Sequence, residues 1–325
     1  MNYSDEAGSN AVPPTQAFSD AARSNEAVSL QQRIGLPATY LDDLRHHVAP
    51  LAAALARRAR AAGKPLLVGV NGCQGSGKST MTQFLALMLQ NGAGLRCAVL
   101  SLDDLYLTRA AREQLGAKVH PLLATRGVPG THDLPLAHET LDALLDASRS
   151  EPFAVPLFDK ATDDRAPREQ WPIEQGVPDI VVLEGWCVGC PPQAPDALGN
   201  PVNALEQEED PDGSWRAYVN EQLAGAYRAL FARIDYLVLL AAPDFDCVFH
   251  WRGQQEQQLL KERRESETEV DPARALVSSE ALRHFVSHFE RLTRHQLAML
   301  PALAAGVIAI NADHRFTAHT GPLFR

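Results

Sequence analysis

The most constraining feature of this sequence is a glycine-rich loop between an apolar run and a helical stretch. The run extends from Pro65 to Val70, and the helical stretch from Ser79 to Leu89. Between them, residues 72–79 have the spacing Gly-x-x-x-x-Gly-Lys-Ser of a phosphate-binding P-loop, in the strand–loop–helix setting that this motif requires. Glycines let successive backbone N–H groups face one concavity at a helix N-terminus, which favours an anion. A chance glycine-rich turn would not explain both flanks, so the loop predicts a nucleoside triphosphate site.

The side chains of the loop have separate predicted roles. Lys78 is expected to reach the outer phosphates, and the hydroxyl of Ser79 is expected to ligate Mg²⁺. The candidate nucleotide-binding residues are Gly72, Cys73, Gln74, Gly75, Ser76, Gly77, Lys78, Ser79 and Thr80.

Composition limits the classes of partner. The chain has 325 residues, with 40 acidic and 30 basic side chains and a formal net charge of −10. An acidic surface repels polyanions, so we expect a small-molecule substrate and no nucleic acid. No apolar run is long enough to span a membrane, and the five cysteines are too irregularly spaced for a disulfide framework. The N-terminus lacks the basic and apolar regions of a signal peptide, so we expect a cytoplasmic protein.

Short apolar runs alternate with helical segments along the chain, which indicates an α/β fold. Nearly continuous apolar strands separated by helices are typical of a parallel sheet covered by helices on both faces. Ligands of such sheets bind beyond the carboxyl ends of the strands. The predicted strands are Leu66–Val70, Ala98–Leu102, Ile180–Leu183, Tyr236–Leu240 and Val307–Ile310.

The rest of the chain divides into three predicted parts. Residues 1–26 are rich in Ser, Ala, Pro and Asp without periodicity, which predicts a disordered tail. Residues 27–64 form a helical segment expected to pack on the core, with helical periodicity from Leu41 to Ala62. Residues 65–325 form the P-loop domain. Within it, the proline- and acid-rich stretch from Val188 to Asp212 is predicted to be a long loop or an insertion, and not a domain boundary.

Carboxylates follow two of the predicted strands. Asp103 and Asp104 come after the second strand, and Glu184 ends the third. At the carboxyl end of a P-loop sheet, such groups can accept a proton from an attacking hydroxyl or hold Mg²⁺. The alternative interpretation is that Asp103 and Asp104 cap a helix near Thr108 and that Glu184 is a solvated strand end.

Two further loops are dense in charged groups and hydrogen-bond donors. They extend from Thr125 to Asp133 and from Pro156 to Arg165. Arginine forks suit a carboxylate or phosphate on a small substrate, although internal ion pairs are an equally good interpretation. The candidate substrate-binding residues are Asp104, Tyr106, Arg126, His132, Asp133, Lys160 and Arg165, among which Arg126, Lys160 and Arg165 are the candidates to grip a carboxylate.

Several segments together resemble one kinase family. They are the P-loop, His120–Asp133, Phe158–Lys160 with Asp164-Arg165, Glu184–Trp186 and Trp251–Gln254. Over about Ile34 to Arg315, the chain resembles the D-glycerate 3-kinase-like branch of the phosphoribulokinase and uridine kinase group. This combination is far more specific than the P-loop alone.

The resemblance implies a P-loop NTPase fold with a five-stranded parallel sheet in the order 2-3-1-4-5 and a helical lid around residues 249–264. Asp103 maps onto the family's catalytic base and metal contact, and Glu184 onto its strand-end glutamate. The implied Mg²⁺ ligands are Ser79, Asp103 and Glu184. Lys78, Asp103 and Arg252 are the implied catalytic residues, because Arg252 lies within the family's Trp-Arg pattern.

The lid also has support from charge. His250 to Arg264 is highly polar and contains Arg252, Lys261, Arg263 and Arg264, in a protein that is otherwise acidic. Arginines that close over the phosphates would offset charge in the transition state. The alternative for Arg263 and Arg264 is an ordinary solvated helix with Glu–Lys pairs.

The predicted reaction is ATP-dependent phosphorylation of a hydroxyl, with D-glycerate and its 3-position favoured by the resemblance. A nucleoside, pantothenate or a sugar acid remains an alternative acceptor, because fold does not dictate substrate. A nucleotide-switched binding protein is the alternative from another class, but the guanine-specific pattern Asn-Lys-x-Asp is absent, and Asn311–His314 does not match it. The turn from Asn311 to Arg315 is a candidate for adenine contacts, and the oligomeric state stays open.

Overall fold

A computed structural model describes residues 14–254 and 279–325 of the chain. Its helices alternate with strands, as the sequence predicts. The helices are α1 (Thr15–Ala21), α2 (Asn25–Ile34), α3 (Thr39–Asp43), α4 (Ala49–Ala62), α5 (Lys78–Ala93), α6 (Arg109–Lys118), α7 (Leu134–Leu145), α8 (Ala204–Glu209), α9 (Ser214–Gln222), α10 (Arg228–Phe231), α11 (described over 245–254) and α12 (Ser279–Leu303). A π-helical turn, Leu44–Val48, joins α3 to α4, so the helix predicted from Leu41 to Ala62 is nearly continuous.

The strands described here form one main sheet and two small two-stranded sheets. The strands are β1 (Leu66–Gly72), β2 (Cys97–Ser101), β3 (Phe153–Ala154), β4 (Phe158–Asp159), β5 (Asp164–Arg165), β6 (Ile173–Glu174), β7 (Ile180–Gly185), β8 (Tyr236–Ala241), β9 (Gly306–Ile310) and β10 (Phe316–Thr320). The main sheet has the order β10-β9-β8-β1-β7-β2; the small sheets are β3-β6 and the hairpin β4-β5.

The α/β class and the mostly parallel sheet are confirmed, but the predicted number of strands is wrong. Strands β2, β7, β1, β8 and β9 run parallel to their neighbours, and numbered along the chain among themselves they stand in the order 2-3-1-4-5. The sixth strand, β10, pairs antiparallel with β9. Only Phe316 of this strand is buried, so the sequence has no continuous apolar run to reveal β10, since an antiparallel edge strand can meet solvent.

The central strand β1 fixes the position of the P-loop. Every residue of β1 is buried, and its side chains alternate between the cores on the two faces of the sheet. Val68 and Val70 belong to the core beneath α1–α5, and Leu67 belongs to the core that also contains Leu183 and Trp186. Because β1 lies between β7 and β8, the loop that follows it opens at the middle of the carboxyl edge.

The prediction of a disordered tail over residues 1–26 is wrong from residue 14 onward. Residues 14–26 contain α1 and the start of α2, and residues 1–13 lie outside the described chain. Phe18 of α1 is fully buried, and Ser24 caps α2 by accepting a hydrogen bond from the Ala27 N–H at 3.2 Å. The local sequence does not predict α1, because the tertiary contact of Phe18 with α5 stabilises this helix and local periodicity does not.

Of the two predictions for the stretch from Val188 to Asp212, the structure fits an insertion with short elements of its own better than a plain loop. The stretch contains the 3₁₀ turn Pro195–Leu198 and the helix α8. Arg291 of α12 donates to both carboxylate oxygens of the buried Glu206, at 2.7 and 2.6 Å. This pair anchors the acidic segment to α12. Of the predicted lid, residues 255–264 lie outside the described chain, including Lys261, Arg263 and Arg264.

None of the helices in the described parts of the chain is both long enough and apolar enough to cross a membrane.

The packing of Phe18 predicts the contribution of the N-terminal helix to stability. A Cβ added to Gly92 of α5 would lie 2.7 Å from a ring carbon of Phe18, so the ring fills a close-packed space. We expect Phe18→Ala to lower the free energy of unfolding by about 3–5 kcal/mol in urea denaturation, because it removes a fully buried ring. Val119→Ala, at an exposed position, is the matched control and should change it by less than about 0.5 kcal/mol. Equal effects of both substitutions would contradict the packing of α1.

Candidate active site

The P-loop takes its shape from three of its glycines. Gly75 and Gly77 have φ angles of 75° and 83°, in the left-handed region that favours glycine. A Cβ on Gly72 would lie 2.8 Å from the Ser76 hydroxyl oxygen, so the chain can fold back on itself only with glycine there. Helix α5 begins at Lys78, directly after the loop. The backbone N–H groups of the helix start therefore border the loop, as the sequence predicts.

Two aromatic rings lie against the outside of the loop. A Cβ on Gly75 would lie 2.7 Å from Trp251 Cβ and 3.4 Å from the Arg252 backbone nitrogen. The ring of His314 lies 4.4 Å from that of Trp251, and its Nε2 is 2.7 Å from the Gly75 carbonyl oxygen. The start of the predicted lid therefore touches the P-loop. The Arg252 guanidinium stands over the ring of Phe285 at 5.5 Å.

Glu184 joins the P-loop from the neighbouring strand β7. Ser79 Oγ donates to Glu184 Oε1 at 2.8 Å, and Lys78 Nζ lies 3.8 Å from Glu184 Oε2. Glu184 is only 3% exposed, so the interpretation of a solvated strand end is wrong. Burial alone would lower the pKa of Lys78, but the carboxylates of Glu184 and Asp103 outweigh it and raise that pKa. Lys78 therefore stays charged at neutral pH.

Asp103 lies at the end of the next strand, in the 3₁₀ turn Leu102–Leu105. Tyr106 donates its hydroxyl to Asp103 Oδ1 at 3.0 Å, and Lys160 Nζ lies 2.6 Å from Oδ2. Burial would raise the pKa of Asp103, but the Lys160 and Lys78 charges and the two hydrogen bonds outweigh it and hold that pKa well below its usual range. Asp103 is therefore a carboxylate across the physiological pH range.

The capping interpretation of Asp103 and Asp104 is wrong, because Thr108 caps α6 through the Ala111 N–H at 3.3 Å. Asp104 instead accepts the backbone N–H of Phe158 at 3.1 Å and so holds the β4–β5 hairpin beside Asp103. Burial raises the pKa of Asp104 to about 6. This position makes Asp104 a support for the loop that carries Lys160.

His132 belongs to a buried aromatic group behind Asp103. Its ring stacks on that of Tyr106 with 4.4 Å between centroids, and its Nδ1 lies 2.6 Å from the Tyr227 hydroxyl. Burial lowers the pKa of His132 to about 3, so the ring is neutral. Only Nε2 of this ring has no hydrogen-bond partner among the described residues. His132 therefore orients Tyr106, and it is buried rather than presented at the surface.

The two predicted arginine forks form internal ion pairs. Arg126 pairs with Asp163, which Arg112 also contacts at 3.0 Å. Arg165 donates to Asp133 Oδ2 at 2.8 Å. The internal pairing that the sequence left open as an alternative is therefore present, and it ties both charged loops together beside Asp103.

A cavity of about 420 Å³ opens beside the P-loop on the side of the N-terminal helices. Its walls include the P-loop residues 75–80 and residues 313–316. Leu36, Pro37 and Tyr40 complete it, and the sequence analysis missed all three. In the sequence, these three residues belong to the predicted N-terminal helical segment, and that assignment does not indicate that the segment faces the P-loop.

The structure thus brings most of the predicted site residues to one edge of the sheet. Glu184 contacts the P-loop, Lys160 contacts Asp103, and the Arg252 backbone nitrogen lies close to Gly75. Within residues 14–254 and 279–325, no group of three or more His, Cys, Asp or Glu side chains is arranged to hold a metal ion.

Several known proteins are similar to this chain in sequence or in fold. The profile of a family described as methylmalonyl Co-A mutase-associated GTPase MeaB matches residues 38–109, which include the P-loop but make up less than a quarter of the chain. The uncharacterised kinase mug58 of Schizosaccharomyces pombe is 34% identical over 215 residues, covering 63% of this chain and 75% of that protein. The chloroplastic D-glycerate 3-kinase of Arabidopsis thaliana is 30% identical over 232 residues, covering 69% of this chain but 46% of that protein.

A solved structure extends the similarity to nearly the whole fold. D-glycerate 3-kinase from Cryptococcus neoformans var. grubii superposes with a TM-score of 0.67 at 26% identity, covering 90% of this chain and 98% of that one. The fold and site are those of a P-loop kinase. The chain belongs to the D-glycerate 3-kinase-like family of these kinases, which confirms the resemblance seen in the sequence.

The contact between Gly75 and Trp251 generates a test of the site. We expect Gly75→Ala to weaken ATP binding at least about tenfold, because the new Cβ would displace Trp251 and distort the loop. The readout is the Kd for ATP from titration calorimetry.

Gly63→Ala is the matched control, since Gly63 has a φ of 62° and open space around its Cβ position. It carries the same left-handed backbone cost of about 1–2 kcal/mol without the clash, and it should leave ATP affinity unchanged. Equal affinities of the two variants would refute the proposed packing.

Proposed function

We propose that this protein transfers the γ-phosphoryl group of ATP to a hydroxyl of a small carboxylate-bearing acceptor, with D-glycerate and its 3-hydroxyl as the favoured substrate. The observation that carries the proposal is the P-loop lysine, 3.8 Å from Glu184 Oε2, with Asp103 in the turn at the end of the adjacent strand β2, in a chain whose relatives include two proteins named D-glycerate 3-kinase. A phosphotransferase needs this pairing of a phosphate cradle with a group that can accept the hydroxyl proton.

The nucleotide is proposed to lie along the cavity beside the P-loop. The loop N–H groups and Lys78 would hold the β- and γ-phosphates, as in other P-loop kinases. The adenine would enter the space between Tyr40 and the turn that carries His314. The apolar and aromatic walls at that end of the cavity suit a planar base.

The residues around Glu184 fit a magnesium ion. Glu184 Oε2 is buried without a hydrogen-bond partner among the described residues, and hard oxygen donors such as Ser79 Oγ and carboxylates suit this ion. Kinase sites hold Mg²⁺ with one or two carboxylates plus substrate phosphates, so a dense ligand cluster is not required. Ser79, Glu184 and Asp103 are the proposed ligands. An ion held by these residues would supply positive charge that offsets the charge of the phosphates.

In the proposed reaction, the acceptor oxygen forms a bond to the γ-phosphorus as the bond from that phosphorus to the β,γ-bridging oxygen breaks. The electron pair of the broken bond leaves with ADP, and the hydroxyl proton moves to Asp103. Lys78 stabilises the negative charge on the phosphates, and Arg252 is proposed to add charge as the lid closes. Asp103 is deprotonated near pH 7, because its pKa lies well below its usual range, and the ion pair with Lys160 also makes it a weaker base while that pair is intact.

Charge around Asp103 favours an anionic acceptor. Lys160, Arg126 and Arg165 all lie on the loops beside it, although the protein as a whole carries a net charge of −10. Arg126 and Arg165 are paired with Asp163 and Asp133, so Lys160, whose partner is the proposed base, is the cation that a carboxylate of the acceptor would share. This pattern supports a carboxylate on the acceptor over a neutral nucleoside.

The function is tested by the choice of acceptor. With magnesium-ATP, we expect D-glycerate to give ADP and a phosphorylated product at a rate at least about tenfold above pantothenate, uridine or no acceptor. The reason is that D-glycerate carries its carboxylate close to the reacting hydroxyl, whereas the two groups of pantothenate are far apart and uridine has no carboxylate. The measurements are coupled ADP release and mass spectrometry of the product. Phosphorylation of another acceptor in preference to D-glycerate would reassign the substrate.

The role of Asp103 has its own test. We expect Asp103→Asn to lower kcat by about 10²–10⁴-fold, because the amide cannot accept the hydroxyl proton. The Kd for ATP should change little, since the P-loop holds the phosphates. Near-normal turnover of this variant would remove Asp103 from the mechanism.

A further inference from the structure

We propose that Lys160 couples recognition of the acceptor's carboxylate to the release of Asp103, and thereby selects acidic acceptors over neutral alcohols. In the structure, Lys160 holds the carboxylate that the reaction needs. An acceptor carboxylate would draw the ammonium away and free Asp103 to take the hydroxyl proton. This inference rests on the proposed function and concerns how the same site chooses its substrate.

The first observation is that both oxygens of Asp103 are engaged. Tyr106 donates to Oδ1 at 3.0 Å, and Lys160 donates to Oδ2 at 2.6 Å. A general base must lie within hydrogen-bond reach of the proton it accepts. A carboxylate oxygen held by an ammonium at that distance is a poorer proton acceptor, because the ion pair stabilises its charge. Lys160 thus masks the proposed base.

The second observation separates Lys160 from the neighbouring cations. Asp163, the partner of Arg126, is also held by the buried Arg112. Asp133, the partner of Arg165, caps α7 by accepting the Leu136 N–H at 3.1 Å. Releasing either arginine would disturb these structural contacts.

Lys160 differs because its partner, Asp103, belongs to the proposed chemistry. Among the three cations predicted to grip a carboxylate, Lys160 is therefore the one whose release activates the site.

The third observation is that Lys160 can move while its hairpin stays in place. Lys160 follows β4, whose Phe158 N–H is held by Asp104 at 3.1 Å. The Lys160 side chain is 59% exposed, and its long stem has several rotamers. Because the ammonium side of the pair is exposed while Asp103 is 27% exposed, a second carboxylate can reach Lys160 from solvent and compete for it. The exchange therefore needs a rotation of one side chain and no movement of the loop.

The exchange predicts how different acceptors behave. The carboxylate of D-glycerate takes over Lys160, and the hydroxyl of the same molecule then meets an unmasked Asp103. A neutral alcohol such as glycerol, or water, cannot displace the ammonium, so Asp103 stays masked. The device therefore also suppresses hydrolysis of ATP when no acceptor is bound.

Binding without nucleotide or metal tests the competition directly. We expect Asp103→Asn to bind D-glycerate about two- to fivefold more tightly than the unaltered protein, because Lys160 no longer has a charged partner. Lys160→Met should bind it more weakly. The double variant should match Lys160→Met, with no gain from Asp103→Asn. The readout is the Kd from titration calorimetry, with glycerol as the neutral comparison.

Turnover provides the second readout. With magnesium-ATP, Lys160→Met should lower the preference for D-glycerate over glycerol at least about tenfold and raise ADP release in the absence of acceptor. Lys160→Arg, which keeps the charge, should retain most of the preference. Lys118→Met, at an exposed position on α6, is the matched control and should behave as the unaltered enzyme.

Three results would overturn the inference. One is an unchanged or weaker affinity of Asp103→Asn for D-glycerate. Another is an equal gain from Asp103→Asn in the Lys160→Met background, which would show general charge repulsion instead of competition for Lys160. The third is a Lys160→Met enzyme with full acceptor preference.

Failure of the proposed function has a different signature. An unaltered enzyme that phosphorylates no D-glycerate would overturn the function and this inference together. An active unaltered enzyme with any of the three results above would overturn the inference alone.

Discussion

The site depends on one buried arrangement, in which the Glu184 carboxylate meets the Ser79 hydroxyl and the Lys78 ammonium. A carboxylate that is 3% exposed needs polar partners, because an uncompensated buried charge strongly destabilises a fold. The register of β7 beside β1 pairs Glu184 with Val70, two residues before the loop begins. Sheet pairing therefore fixes the carboxylate against the start of α5, and the proposed magnesium site depends on that contact.

A second ion pair organises the opposite side of the P-loop. Arg315 donates to both carboxylate oxygens of Asp43, at 2.5 and 2.7 Å, and Asp43 is buried on the N-terminal helix α3. The two-fold contact favours a fixed geometry as well as attraction. It ties the turn that carries His314 to the N-terminal helices. The cavity proposed for adenine is therefore formed by segments from both ends of the described chain.

Most charged side chains near Asp103 stabilise the surrounding loops, and Lys160 pairs with Asp103 itself. The arginines at positions 126 and 165 are paired with carboxylates that have other structural contacts, so they stabilise the loops. Asp104 holds the hairpin, and neutral His132 supports Tyr106 by stacking. These contacts leave Lys160 as the cation paired with the proposed base. A rigid frame around one exchangeable ion pair is a physical basis for substrate selection by charge.

The sequence by itself determined the P-loop, the parallel strands and the strand-end positions of Asp103 and Glu184, because these depend on local spacing and on the rule that parallel strands end at one edge. It did not reveal α1, β10, the cavity walls at Leu36, Pro37 and Tyr40, or the partners of the charged loops. Each of these is decided by contacts between residues distant in the chain, such as Phe18 against Gly92 and Arg315 with Asp43. Local patterns report propensity and periodicity, whereas only tertiary packing brings such partners together.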